Sequence, residues 1–200
     1  MTNPGDSRLG ETNANCCPSD RRLPRFVMDN MLRRLIVRPK RLVEKYLHEG
    51  EIVADLGSGP GFYTLPIAET VGVTGRVYAV DFDPKSIEAL KGKVAGRGLQ
   101  GVVEAHAASA AEIDFLQDAS VDFVFANGLL CCMLDHAGAL RQIGRILKPE
   151  GKARLSISKL IRKKDPRVVT KGEWEEILGE FEVLERGESL TQRWAVLSLK

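Results

Sequence analysis

From residue 51 onward, short apolar runs alternate with stretches whose apolar residues recur at helical spacing. "EIVADLG" (51–57), "GRVYAVD" (75–81), "GVVEAHA" (101–107), "VDFVFAN" (121–127) and "KARLSISK" (152–159) read as strands. Between them the spacing predicts a helix over 62–71 and another in "DPKSIEALKGKVAGRG", with Asp83 as N-cap and Pro84 at its first position. Further helices are predicted over 137–147, ending at "KPEG", and over 171–178. Two last strands, "FEVLERG" and "QRWAVLSLK", are joined by about three residues around Ser189 and Leu190, too few for a parallel crossover. The expected fold is α/β: a doubly wound, seven-stranded, mostly parallel sheet with a C-terminal antiparallel hairpin and helices on both faces.

Ahead of this alternation the pattern differs. Residues 1–24 are polar and aperiodic, and read as a flexible tail. Met28, Met31, Leu32, Leu35 and Ile36 then share a helical face; Pro39 interrupts, and Leu42, Val43, Tyr46 and Leu47 continue to His48, with Gly50 as the stop. Residues 25–48 are expected to form a helical lid on a single domain spanning 25–200. Two hundred residues with 44% hydrophobic and 28% charged composition suit one such domain. No apolar run reaches the ~20 residues needed to span a bilayer, and the first twenty lack the apolar stretch of a secretory leader. The expectation is a cytoplasmic protein without membrane partners. The cysteines form two adjacent pairs, Cys16-Cys17 and Cys131-Cys132, without the C-x₂-C spacing of a zinc site, so reduced thiols and no metal are expected.

"VADLGSGPGFYT" (53–64) carries the candidate chemistry. Gly57, Gly59 and Gly61 follow the first strand, where an open parallel sheet binds its ligands. Glycines there allow positive φ and a close approach to the main chain. The dinucleotide fingerprint G-x-G-x-x-G would need a sixth-position glycine, and Phe62 stands there. Asp55, just before the loop, would repel a pyrophosphate and attract a cation. Asp81, at the end of the second strand, is placed to bind ribose hydroxyls. A ligand with a ribose and a positive charge but no pyrophosphate, such as S-adenosylmethionine, satisfies both carboxylates.

With these residues the chain resembles the class I S-adenosylmethionine-dependent methyltransferases. "VADLGSGPGFYT" resembles their first motif and "VYAVDFDPKSIEAL" their second, while "VDFVFANGLL…ALRQIGRILKPEGKARLS" resembles the fourth- and fifth-strand region. The resemblance covers roughly residues 40–200. It implies that Asp55 orients the methionine amino end and that Gly57, Ser58, Gly59 and Gly61 line the cofactor. Asp81 would take the ribose, with Phe82 beside the adenine, Ser109 and Ala110 near the adenine edge, and Asn127 facing the methionine moiety. Two departures stand out. Ala110 occupies the place where many relatives have an aspartate. Cys131-Cys132 occupies that of a histidine pair in relatives with small-molecule substrates.

Methyl transfer from a sulfonium is a direct displacement that needs a base only if the acceptor arrives protonated. The candidates near the mouth are His136, Cys131 and Cys132, each with a plain structural alternative: buried thiols pack as small apolar groups, and Asp135 reads as an N-cap beside His136. "NGLL" lacks the proline pair that marks methylation of amide or base nitrogens in relatives. Two basic stretches, over 21–45 and 159–171, would make the mouth positive if Arg33, Arg34, Arg38, Lys40 and Arg41 faced Arg162, Lys163, Lys164 and Arg167. The expected acceptor is a small, possibly anionic molecule. An RNA or protein acceptor, or a non-catalytic cofactor-binding subunit, is the alternative.

Overall fold

The computed structural model describes residues 38–160 and 165–200. Seven strands form one sheet in the order β3-β2-β1-β4-β5-β7-β6. In chain order the elements are α1 (Pro39–Val43), β1 (Ile52–Leu56), α2 (Thr64–Val71), β2 (Arg76–Asp81), α3 (Pro84–Ala95), β3 (Val103–Ala107), β4 (Val121–Asn127), α4 (His136–Ile146), β5 (Leu147–Ser158), α5 (Lys171–Gly179), β6 (Glu182–Glu188) and β7 (Gln192–Ser198). Strands β1 to β5 pair in parallel, and β7 runs antiparallel to both β5 and β6. The doubly wound sheet and its terminal hairpin are as the sequence predicts.

Each central strand is buried on both faces, which is why its sequence is almost wholly apolar. Val53, Phe123 and Phe125 face α2 and α3 together with Val43, Leu65, Ile67, Ile87 and Leu90. Ala54, Leu56, Val124 and Ala126 face α4 and α5 with Leu140, Ile143, Trp174 and Ile177. Helix α3 starts where expected: Pro84 is its first residue, and the Asp83 carboxylate accepts from Lys85 N at 3.3 Å. Helix α5 opens with a capping box between Thr170 and Glu173.

Three boundaries depart from the sequence reading. The helix expected to run to His48 is only Pro39–Val43, followed by a turn. Helix α2 begins at Thr64 rather than at 62, because the glycine loop continues through Tyr63 as successive turns. Strand β5 reaches back through the "KPEG" segment to Leu147, which pairs with Val121 across a register shift. The tail over 1–24 and the first lid helix, with Met28 to Ile36, lie outside the described residues, as do Arg33, Arg34, Cys16 and Cys17 and the loop residues 161–164. Among the described residues, no helix is long and apolar enough to cross a membrane.

Candidate active site

The loop after β1 folds over the end of β2. Gly57 N and Ser58 N both donate to Val80 O, at 2.8 and 3.0 Å. Gly57, Gly59 and Gly61 have φ of 77°, 52° and 91°, the left-handed region that residues with a Cβ avoid. Gly61 is also sterically required: an added Cβ would stand 2.6 Å from Leu90 Cδ1 of α3. Phe62 is buried in the helix-facing core, edge-on to Tyr63 with ring centroids 4.9 Å apart.

Two carboxylates bracket this loop. Asp81, 7% exposed, accepts from Gly59 N at 2.8 Å through one oxygen and from Asp83 N at 2.9 Å through the other. Burial raises its pKa, and the two backbone N–H groups pull the other way. Asp55 is 2% exposed, and Thr64 Oγ1 donates to its Oδ2 at 2.6 Å. Burial pushes the Asp55 carboxyl up to about 7; the Thr64 bond opposes this, and the neighbouring Asp81 charge adds to it. A carboxylate held so close to neutrality has strong reason to meet a cation.

The segment after β3 joins the site through its backbone, since Ala108 N donates to Asp81 O at 3.1 Å. Phe82 and Ser109 are half-buried. Ser109 Oγ accepts from Ala111 N at 3.2 Å, while Ala110 is buried in the apolar cluster with Ile113 and Leu116. Asn127 sits at the carboxyl end of β4. Its Oδ1 accepts from Arg154 Nη1 of β5, and its Nδ2 is buried without a partner. Ser58 Oγ and Arg154 Nε are buried without partners too.

The three weaker candidates resolve differently. His136 Nε2 lies 2.7 Å from Leu130 O and 3.0 Å from Met133 O. Carbonyls only accept, so that nitrogen carries a proton and clamps the loop before α4. Asp135 beside it is the N-cap of α4, accepting from Gly138 N at 2.8 Å. Cys131 is buried in the core, and its Sγ accepts from Ser158 N at 3.0 Å; Cys132 is half-buried. Among the described residues no cluster of His, Cys, Asp and Glu is arranged to hold a metal ion. Of the basic residues expected at the mouth, Arg167 is tied to Asp165 at 2.9 Å, and Lys40 lies 3.8 Å from Glu44.

The sequence reading missed Thr64, Arg154 and the polar group around it. Tyr46 OH donates to Glu185 Oε2 at 3.0 Å, and Lys45 Nζ contacts Glu185 Oε1 at 2.6 Å. The Arg154 guanidinium lies 5.3 Å from the Trp194 ring. The signal was available: in "KARLSISK", Ala153, Leu155 and Ile157 point to the core and Arg154 falls on the opposite face, between Phe125 and Val196.

The family described as "Methyltransferase domain" matches residues 54–155, about half of the chain. A demethylmenaquinone methyltransferase from Lactobacillus johnsonii is 32% identical over 103 residues, 52% of this chain and 42% of that protein. The chain thus spans less than half the length of that relative. Among solved structures, an S-adenosylmethionine-dependent methyltransferase from Aquifex aeolicus superposes with a TM-score of 0.76 at 26% identity, covering 88% of this chain and 97% of its own. A TehB-like methyltransferase from Corynebacterium glutamicum, at 17% identity and a TM-score of 0.64 over 84% and 94% of the two chains, shares the fold. With the matched region running from β1 into β5 and enclosing both carboxylates and the glycine loop, this chain belongs to the class I S-adenosylmethionine-dependent methyltransferase family.

Proposed function

We propose that this chain transfers the methyl group of S-adenosylmethionine to a small-molecule acceptor in the cytoplasm, with a quinol-type acceptor the first to test. The observation that carries the reading is the pair of buried carboxylates, Asp55 and Asp81, on either side of a loop with three positive-φ glycines. The residues suit that cofactor. Each Asp81 oxygen accepts one backbone N–H and keeps lone-pair capacity for the two hydroxyls of a ribose. Asp55 gains most from an adjacent cation, and Ser58 Oγ and Asn127 Nδ2 are buried polar atoms in need of partners. Phe82, Ser109 and the backbone around Ala110 would flank the adenine. An acceptor of this type is supported by the Lactobacillus relative, a demethylmenaquinone methyltransferase.

The cofactor, when bound, supplies a methyl group on a cationic sulfur that leaves as a neutral thioether. The chain's own part is orientation. Asp81 and the glycine loop would hold one end of the donor and Asp55 the other, with Asn127 toward the reacting region. Holding two reactants in line is worth ~7–11 kcal/mol of barrier. His136 is read as a clamp on its loop through the Nε2 proton; were it a base, Nδ1 would be the atom to act.

Calorimetric titration with S-adenosylmethionine tests the first half of the proposal. Binding that disappears in Asp81→Ala supports it, and a folded wild type that does not bind overturns it. Incubation with the methyl-labelled cofactor and demethylmenaquinol then tests the acceptor; label in other acceptors but not in the quinol would refute the quinol assignment alone.

A further inference from the structure

Arg154 is 5% exposed and lies on the same sheet face as Asp55 and Asn127. Among the described residues no carboxylate is within ion-pair distance of it, although a buried charge without a partner is costly. Glu185, whose charge acts on Arg154, is already engaged by Lys45 at 2.6 Å and by Tyr46 at 3.0 Å. The neighbours of the guanidinium are instead the Trp194 ring, the phenols of Tyr46 and Tyr63, and the Asn127 amide.

That last contact has a chemical consequence independent of fine geometry. A guanidinium has donors only, so the amide of Asn127 must turn its oxygen toward Arg154. Nδ2 is then directed away from Arg154, at the ends of β1 and β4, buried and without a partner. An amide so pinned turns its donor, rather than its oxygen, to the side away from Arg154. Charge on one side also polarises the amide and strengthens its N–H on the other.

We propose that Arg154 is a specificity-determining positioning residue, whose buried charge and hold on Asn127 Oδ1 favour a methyl acceptor presenting an anionic, phenolate-type oxygen over one presenting a neutral amine. The inference rests on the methyltransferase reading above. A neutral amine brings no charge to meet Arg154, and it meets the amide's donor rather than the oxygen that faces Arg154. A phenolate needs a donor, and finds Nδ2–H with the Arg154 charge behind it.

The test uses the full chain saturated with S-adenosylhomocysteine and two near-isosteric probes, 4-nitrophenol, whose phenolate is coloured, and 4-nitroaniline. Cofactor-product binding is measured first; a folded chain that does not bind it loses the methyltransferase reading and this inference together. With the product bound, the phenolate is expected to bind at least tenfold more tightly than the aniline, and the absorbance titration of bound nitrophenol to shift to lower pH. Arg154→Met and Asn127→Asp are each expected to bring the ratio within threefold of one, while Arg154→Lys retains a preference. A cooperative urea unfolding transition of Arg154→Met verifies that the variant folds, and the probe ratio is read at saturating S-adenosylhomocysteine for each variant. Equal binding of the two probes by wild type, or no binding of either, overturns the inference and leaves the methyltransferase reading standing. So does a ratio that survives both Arg154→Met and Asn127→Asp.

Discussion

Replacing Asp55 by asparagine should make the ligand-free protein more stable at neutral and alkaline pH. Asparagine is nearly isosteric with the protonated carboxyl and can still accept from Thr64 Oγ1. The wild-type side chain is 2% exposed, and burial lifts its pKa from an ordinary 3.8 to about 7. A carboxyl whose pKa is raised on folding contributes nothing adverse below pH 3.8, where both states are protonated. It loses stability as pH climbs to about 7 and bears the full penalty above. At 1.36 kcal/mol for each pH unit, that penalty is ~4 kcal/mol. The advantage of Asp55→Asn over wild type should therefore grow by about 2–3 kcal/mol between pH 5 and pH 8. Urea unfolding of both proteins at the two pH values, without ligand, measures it. A difference independent of pH, or one that shrinks toward pH 8, would refute the reasoning. The same variant should lose most of its affinity for S-adenosylmethionine, so stability and binding move in opposite directions at this residue. Wild-type binding near pH 6 should release up to about one proton, as the bound cation draws Asp55 into its ionised form. Calorimetry in buffers of different ionisation enthalpy counts that proton.

Gly61→Ala combines a forbidden backbone angle with an atom 2.6 Å from Leu90 Cδ1, and should cost about 2–4 kcal/mol, read as a lower urea midpoint. His136→Ala removes the clamp on Leu130 and Met133, and should lower stability by about 1–2 kcal/mol. It should leave any pH-dependent limb of the methyl-transfer rate in place, and loss of that limb would make His136 a base after all. Asp81→Asn sets an amide NH2 against one of the two backbone N–H groups, of Gly59 and Asp83, that donate to the carboxylate; binding of S-adenosylmethionine should weaken at least tenfold and the thermal midpoint should fall.

The elements that were easiest to read are those in which local and tertiary forces agree. The central strands are apolar because both faces are covered, and Asp83-Pro84 announces α3 by the same N-cap that the structure shows. Asp55 and Asp81 were legible because each ends an apolar run beside glycines, where a carboxylate has no role in the core. Boundaries set by long-range contacts were not legible. Strand β5 extends through a proline-glycine segment because Val121, across the sheet, pairs with Leu147. The shortness of α1 has no counterpart in the apolar spacing, since Tyr46 keeps its place in the pattern but spends its hydroxyl on Glu185 of β6. Arg154 escaped notice for a related reason. Alternation identifies which face it is on, but not that this face is closed over at that point.

The sheet order carries a further consequence for how the molecule is made. Strand β7 is the later of the two hairpin strands, yet it lies inside, between β5 and β6. As the chain leaves the ribosome, β1 to β5 can assemble in sequence, each beside a strand already present. Strand β6 cannot, since its one neighbour has not yet been synthesised. Until Gln192–Ser198 emerges, the edge of β5 stays open, and both Arg154 and Gly187 lack the Trp194 ring that later packs against them. The site would then mature late, with the insertion of a single strand, and an interrupted chain would present an unpaired β5 edge to any other strand nearby.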